Sequence, residues 1–454
     1  MIPTPTLALH TSRCGKRLVL LAALTGLTAF LSSSVAEAQP PLIRAGTVRV
    51  MTQNMYMGNP GTIVSATPET LAAAVAKFFN ESVASNPAQR AAAIAKKIHD
   101  NRPDLVALQE VSILRRGTGN DPTIAATQVV HDQLQLLRDA LTELNEHYET
   151  VAVIPNSDVQ FRSTLGHVVR VTDRNAILVR TSSALKLSNV QVEEYWAEPD
   201  DSPFRTHGWG SVDVEVFNRK FRFVATHLLA PRTLAHLGIQ RAQASELIQS
   251  AGKTDLPVVY AGDFNVGADV QTPANPTFPT YQILVNGRVD AWAQKHPMDN
   301  GFTCCHPDIH STSNLIHRVD LVIVPPNTVI EEVKLVGADP ADFTGLWPSD
   351  HAGVVAMLTV PRNVGGRLFF YNSQTRAAAS GELDALGAFI NLKDFAAGQF
   401  GDWTHIVSVG GGRLFFYNRE TRAAASGELN AAGDFITLKD FAAGQFGIWT
   451  LIAG

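Results

Sequence analysis

The stretch 256–266, LPVVYAGDFNV, constrains the fold more than any other part of the chain. Val258, Val259 and Tyr260 form a β-branched and aromatic run of the kind that fills a buried strand, and Gly262 lets the backbone turn closely at its end. The character then reverses. Asp263 and Asn265 flank Phe264, so extended geometry sends both polar side chains to one side and the ring into the core. A carboxylate and a carboxamide at the mouth of a sheet are oxygen donors suited to a hard cation or a phosphate-bound water. Gly, Asp and Asn also favour a plain surface turn, so this tetrapeptide takes its meaning from the rest of the chain.

Several other apolar runs end the same way. The run 47–56, TVRVMTQNMY, alternates Val48, Val50 and Thr52 and reads as a first strand ending at Asn54. The run 104–111, DLVALQEV, ends in Gln109-Glu110, and 221–228, FRFVATHL, closes on His227. Asp320 lies just inside 319–324, VDLVIV, and a strand at 353–360 follows Ser349-Asp350-His351. Further strand-like runs occupy 149–154, 167–172, 175–180 and 210–217. Helical spacing marks 88–101 through Ala91, Ile94, Ala95 and Ile98, 127–147 through Val130, Leu134, Leu137, Leu141 and Leu144, and also 234–251. The segment 57–81, with Gly58, Pro60 and Gly61, reads as an irregular surface insertion. Strands and helices alternating irregularly, with neighbouring strands that invite antiparallel pairing, predict mixed sheets covered by helices.

The chain begins with a segment to be set aside. Arg13, Lys16 and Arg17 precede an apolar run at 18–31, and Ala36-Glu37-Ala38 has the small-x-small form of a signal-peptidase site. The run is shorter than the roughly 20 residues of a spanning helix, and no later stretch approaches that length. These features predict a signal peptide at 1–38 and a secreted or periplasmic, soluble protein. Without it the chain keeps 34 basic and 41 acidic residues, a net charge of −7. A mildly acidic chain lacks the broad basic field of a nucleic-acid-coating protein, which leaves room for an enzyme that touches a few phosphates. Cys304 and Cys305 are the cysteines left after the leader; being adjacent, they read as an oxidised pair stiffening one loop. Nearby His306 and His310 do not complete a known structural zinc spacing.

Singly, each polar strand end is a turn, a cap or a satisfied core group. Together they supply carboxylates, carboxamides and two imidazoles, as metal-assisted phosphoryl transfer requires. The ordered motifs Gln53-Asn54, LQEV at 108–111, Thr226-His227, GDFN, VDLVIV and Ser349-Asp350-His351 resemble those of the endonuclease/exonuclease/phosphatase superfamily over about 46–361. That group includes pancreatic-type deoxyribonucleases, abasic-site endonucleases, bacterial neutral sphingomyelinases and inositol-phosphate phosphatases. The resemblance implies an α/β fold: a four-layer α/β/β/α sandwich of two mixed sheets flanked by helices, with the site at one edge. It makes Glu110 the principal ligand of Mg²⁺, with Mn²⁺ or Ca²⁺ as alternatives, and puts Asn54 and Asp350 near the metal. It has Asp263 and Asn265 orient the nucleophilic water and a phosphate oxygen, His351 aligned by Asp320 act as general base or stabiliser of the attacking group, and His227 bind the scissile phosphate. Two positions depart from the pattern: Arg205 and His207 replace an Arg before the strand at 210–217, and Asn175 in Arg174-Asn175-Ala176-Ile177 sits where relatives often have a small residue. The loop 301–310, GFTCCHPDIH, resembles a variant found in some exported bacterial members and lies close in sequence to Asp320.

Behind a boundary at 361–366 the chain repeats itself. The unit at 366–407 recurs at 412–454, an offset of 46 residues, and its Leu-Phe-Phe-Tyr run, Gly-bearing turn and closing Trp predict one small antiparallel sheet per unit. The units resemble tachylectin-type β-propeller repeats, which implies carbohydrate binding. Two are fewer than the roughly four blades of a closed propeller, so they are expected to pair with another chain as an oligomer or to pack on the first domain. The reading as a whole is a metal-dependent phosphodiesterase whose substrate is nucleic acid, with a phospholipid headgroup as the alternative and a non-catalytic carbohydrate-binding protein as the rival. Arg115, Arg116 and Arg162 are candidate nucleic-acid contacts, and the aromatics Trp196, Phe204 and Trp209 are candidates for a membrane contact.

Overall fold

The computed structural model describes residues 46–200, 202–204, 207–217, 219–361, 368–383, 389–408, 413–430 and 433–450. The leader at 1–38, Arg205 and the boundary residues 362–366 lie outside the described residues.

Alternation builds the first strand: β1 (Thr47–Asn54) turns Val48 and Val50 to one face and Met51 to the other, all fully buried. The expected irregular insertion is largely helical. After α1 (Gly61–Val64), α2 (Leu71–Ala84) sinks Val75, Phe78 and Phe79 at helical spacing; the Gly and Pro residues that suggested irregularity all precede it. In α3 (Pro87–Asn101) the Asn86 side chain accepts from Gln89 N, and Pro87 takes the first position, where no N–H is required. Next come β2 (Leu105–Gln109), β3 (Ile113–Arg116) and β4 (Gln128–Asp132). The amphipathic run at 127–147 is therefore helical only in α4 (Gln133–Glu143): Asp132 ends β4 and caps the helix by accepting from Leu134 N and Gln135 N. After β5 (Tyr148–Phe161), β6 (Val169–Arg180) joins two expected strands into one. The chain continues through β7 (Lys186–Glu194), β8 (Gly208–Val216), β9 (Arg219–His227), α5 (Leu234–Ser250) and β10 (Val258–Asp263). It closes with α6 (Phe278–Val285), β11 (Val289–Asp290), α7 (Ala291–Lys295), β12 (Asp320–Val324), β13 (Val329–Val336) and β14 (Gly353–Thr359).

These strands make two sheets. One has the order β13-β14-β1-β2-β6-β3-β4, with β5 also on β6, and the other the order β11-β12-β10-β9-β8-β7. Their inner faces pack on each other: Val50, Ala107, Ile177 and Ala356 from the first meet Val212, Phe223, Ala261 and Val322 from the second. On the outer face of the first sheet, Met51, Val106 and Leu178 pack on Ile94 and Ile98 of α3 and Leu137 of α4. On the outer face of the second, Val224, Tyr260 and Ile323 pack on Leu247 of α5 and Leu284 of α6. This is the expected α/β/β/α sandwich. With each buried Val, Leu, Ile or Phe contributing roughly 1.5–3 kcal/mol, three stacked apolar layers hold the edge of the sandwich rigid.

The two repeats each form a sheet, with a crossover between them. β15 (Leu368–Tyr371), β16 (Ala378–Leu383) and β17 (Phe389–Phe395) make the first; β18 (His405–Ser408), β19 (Arg413–Tyr417), β20 (Ala424–Leu429) and β21 (Phe435–Phe441) make the second. β18 comes from the tail of the first repeat but pairs antiparallel with β19 of the second. Gly381 and Gly427 are equivalent and obligatory, since a Cβ would lie 2.2 and 2.1 Å from the rings of Phe389 and Phe435. The repeats pack on each other: Phe369 stands edge-on to Phe416 with centroids 5.6 Å apart, and Ser380 Oγ donates to Gly433 O at 2.6 Å. Their aromatic faces thus meet each other. Among the described residues no helix is long and apolar enough to cross a membrane.

Candidate active site

Sheet register brings the polar strand ends together. β1 runs parallel to β2 and sets Asn54 opposite Gln109, so Glu110 emerges beside it. β9 and β10 are parallel and set His227 opposite Asp263, while antiparallel β12 sets Asp320 opposite Asp263 from the other side. Asp350 and His351 lead into β14, which lies antiparallel to β1. Gly262 serves the approach of β10 to β9, since a Cβ there would lie 2.2 Å from Thr226 O.

Asp263, 1% exposed, is the hub. Its Oδ2 accepts from Asn54 Nδ2 at 3.1 Å and lies 3.5 Å from His227 Nε2 and 3.8 Å from His351 Nδ1. Its Oδ1 accepts from Asn265 N at 2.9 Å. That last bond corrects the extended geometry expected for Asp-Phe-Asn: Asn265 has φ of 50°, a left-handed turn that Asn tolerates. Phe264 is still driven fully into the core, and the Asn265 amide still reaches the cleft, its Nδ2 lying 3.1 Å from His227 Nε2 and donating to Leu228 O at 2.9 Å. Glu110 also has a positive φ, 54°, which costs a non-Gly residue about 1–2 kcal/mol. Its carboxylate accepts from Asn54 Nδ2 at 3.1 Å and Met57 N at 2.7 Å. His351 Nδ1 pairs with Asp320 Oδ2 at 2.8 Å.

The electrostatics follow from this crowding. Burial and the neighbouring carboxylates of Glu110 and Asp263 push Asp350 up to about 7 against the pull of His351 and Arg90. Burial likewise lifts Asp320 to about 6, opposed by His351. Burial works against a charged His351, but the carboxylates of Asp320, Asp350 and Asp263 outweigh it and hold the imidazole well above its usual value. Ligand atoms of Asp263, Asp320 and His351 lie within 4.8 Å of one another. A partly compensated set of carboxylates, with the Asn54 carboxamide beside Glu110, is the oxygen-rich donor array that a hard divalent cation fits.

All eight expected residues thus meet at one edge, and Glu110, His227, Asp263, Asn265, Asp350 and His351 line one cleft of about 290 Å³. Asn54 and Asp320 stand behind it. Sequence reasoning missed Asp173, Arg90 and the bracing role of Thr303. Asp173 lines the cleft 7% exposed; its Oδ2 accepts from Asn156 Nδ2 at 2.8 Å and its Oδ1 has no partner. Burial raises its carboxyl to about 6, with His227 opposing and Glu110 assisting. His227 carries a buried Nδ1 that is also without a partner. Asn175, which departs from the family pattern, lies fully buried behind Asp173 and accepts from Asn156 Nδ2 at 3.2 Å. The Arg90 guanidinium, buried in α3, donates to Met55 O at 2.5 Å and Tyr56 O at 3.1 Å and lies 5.2 Å over the Tyr56 ring, fixing the loop that follows Asn54. An Arg within the apolar face of an Ala-rich helix was the available signal.

Cys304 and Cys305 are joined as a disulfide and border the cleft. The strip they belong to braces the site: Thr303 Oγ1 accepts from Val319 N and Asp320 N at 3.1 Å each, Thr303 O accepts from Ala352 N, and His306 N donates to Asp350 O. Arg115 is turned to Thr172 and Arg116 to Gln128, and neither they nor Arg162 line the cleft. Trp209 is buried, Trp196 is 92% exposed and Phe204 lines the cleft, so the three aromatics form no common face.

Residues 51–351 match the model described as Endonuclease/Exonuclease/phosphatase family. Among solved structures, the chain is similar to D. rerio TDP2 complexed with a single-strand DNA product, at 14% identity over 69% of this chain and 98% of that one, TM-score 0.44. It is similar to a mannosyl-6-phosphatase of Bacteroides thetaiotaomicron VPI-5482, at 16% identity over 68% and 99%, TM-score 0.42. It is also similar to an endonuclease/exonuclease/phosphatase from Beutenbergia cavernae DSM 12333, at 16% identity over 88% and 89%, TM-score 0.42. No curated protein matches the chain.

Proposed function

The chain belongs to the endonuclease/exonuclease/phosphatase family, and from that premise we propose that it is a secreted, divalent-metal-dependent phosphoesterase that hydrolyses phosphodiester bonds, in nucleic acid first of all. The observation that carries this reading is Asp263, held within 3.8 Å of Asn54, His227 and His351 at the floor of the cleft. Glu110, Asn54 and Asp350 would hold the cation, Mg²⁺ or in its place Mn²⁺ or Ca²⁺. When bound, it supplies Lewis-acid polarisation of a phosphate oxygen and stabilises the charge that develops there.

The chain's own residues do the rest. Asp263 and Asn265 orient the attacking water. Asp320 fixes the His351 ring through Nδ1, leaving Nε2 to take the proton from water. Asp320 is foremost among the carboxylates that hold His351 in its charged form, with Asp350 and Asp263 behind it, so a cation held at Asp350 would weaken that field and favour the neutral imidazole. His227 contacts the scissile phosphate and returns a proton to the leaving oxygen, with Asp173 beside it in the cleft. Water thus loses one proton to His351, the phosphorus–oxygen ester bond breaks, and the leaving alkoxide gains one proton from His227.

The proposed organisation is a leader at 1–38, a catalytic domain at 46–361 and tachylectin-like repeats at 366–407 and 412–454. The Cys304–Cys305 disulfide supports export. A cavity of about 340 Å³ bordered by Phe400, Trp403, Phe416, Thr437 and Asp440 supports a carbohydrate ligand for the repeats, since sugars take an aromatic face beside polar groups.

The test is to incubate the purified protein with plasmid DNA, sphingomyelin vesicles and bis(p-nitrophenyl) phosphate, in chelator and after return of Mg²⁺, Mn²⁺ or Ca²⁺. Metal-restored cleavage of DNA is expected. Turnover of sphingomyelin alone would move the substrate to phospholipid headgroups, and inertness towards all three with every metal would defeat the enzyme reading in favour of a binding protein.

A further inference from the structure

Among the described residues that line the cleft, Arg232 contributes the one Lys or Arg side chain, and every carboxylate there belongs to the floor. Its position is built. Thr233 caps α5 by accepting from His236 N at 3.2 Å, and Arg232 N donates to His236 Nδ1 at 3.3 Å, so the Arg232 backbone is pinned at the start of a 17-residue helix. From there the exposed side chain reaches across the mouth: its Nη2 and Nη1 lie 2.9 and 3.3 Å from where a Cβ on Gly61 would sit. The guanidinium has no hydrogen-bond or ion-pair partner among the described residues.

An unpaired guanidinium, carried on a pinned backbone at the rim of a small cleft with an acidic floor, is arranged for an anion on the substrate that is not the reacting phosphate. We infer that Arg232 binds the phosphate next to the scissile one in a nucleic-acid strand, and thereby selects polynucleotides over esters with a single phosphate. The inference rests on the phosphodiesterase reading of the floor and adds to it the side chain that selects among its substrates. Glu110, Asp263 and Asp350 repel any polyanion, so a strand needs a cation where its second phosphate emerges. An Arg fork meets phosphate oxygens bidentately, which fixes register as well as charge. A phosphocholine headgroup carries an ammonium beyond its phosphate, and a like charge on Arg232 disfavours it.

The experiment compares wild type, Arg232→Ala and Arg232→Lys in Mg²⁺ on a short single-stranded oligonucleotide, on bis(p-nitrophenyl) phosphate and on sphingomyelin vesicles. The ratio of kcat/KM on the oligonucleotide to that on bis(p-nitrophenyl) phosphate should fall about tenfold in Arg232→Ala and less in Arg232→Lys, with the loss in KM. The slope of log(kcat/KM) against log[salt] on the oligonucleotide should flatten by about 0.7, the loss of one phosphate contact on a single strand. An unchanged ratio and slope would overturn the assignment of Arg232 while leaving the floor intact. Faster wild-type turnover of sphingomyelin than of the oligonucleotide would also overturn it. A wild type inert on bis(p-nitrophenyl) phosphate would instead remove the underlying reading of the floor.

Discussion

Two aspartates at the floor of the sandwich's cleft and one on the repeats are pushed in opposite directions. Asp320 and Asp350, enclosed by two packed sheets, are raised to about 6 and about 7, chiefly by burial. Asp434, on the second repeat, is lowered by hydrogen bonds from Lys393 and Asn430. The residue type is the same; the depth of the apolar layers behind it differs. β1, β2, β9 and β10 are buried on both faces, whereas β17 and β21 expose most of their length. A thick sandwich can hold charges against their preference for water, which is what an acid–base site needs. Two small sheets joined by aromatic rings can offer a surface or a shallow pocket, but no described carboxyl there is raised by burial.

The comparison breaks first at His351. Replacing it with Gln should lower kcat by about 10²–10⁴-fold with little change in thermal midpoint, and a variant retaining more than a tenth of wild-type activity would place the chemistry elsewhere. The next effect lies in the repeats. Phe416→Ala empties the centre of the aromatic cluster and should cost that module about 3–5 kcal/mol in chemical denaturation, with kcat on bis(p-nitrophenyl) phosphate unaltered. A parallel loss of kcat would show that the two regions are functionally one.

Asp173→Asn tests the cost of a buried charge. The native carboxyl is raised to about 6 from an ordinary 3.8, so the folded state holds its proton more tightly and stability falls as pH rises between about 4 and about 6. In chelator the Asn variant should therefore be more stable than wild type at pH 8, by roughly 2–3 kcal/mol, and match it near pH 3. A variant less stable at pH 8 would sink this account. The smallest effect belongs to Asp434→Asn: removing a solvent-exposed pair with Lys393 should leave the thermal midpoint unchanged within error in 0.15 M salt.

Much of the sandwich was legible because burial writes a period into a strand. Val48, Val50 and Thr52, or Phe221, Phe223 and Ala225, alternate because one face meets the opposite sheet. Where punctuation interrupted the pattern, legibility failed: Gly58, Pro60 and Gly61 concealed α2, and the Leu spacing of 127–147 concealed the strand that ends at Asp132. Asp173 was missed because it lies inside a strand, where the sequence marks no end.

The chain by itself determined which side chains stand at the ends of apolar runs, because hydrophobic periodicity and its interruption are local properties. It also determined that the tail repeats every 46 residues. Only the tertiary structure decided that Asp263 touches Asn54, 209 positions away, and that His351 finds Asp320. Register between strands is set by two sheets packing face to face, and a slip of one residue would turn every one of these polar ends to the wrong side.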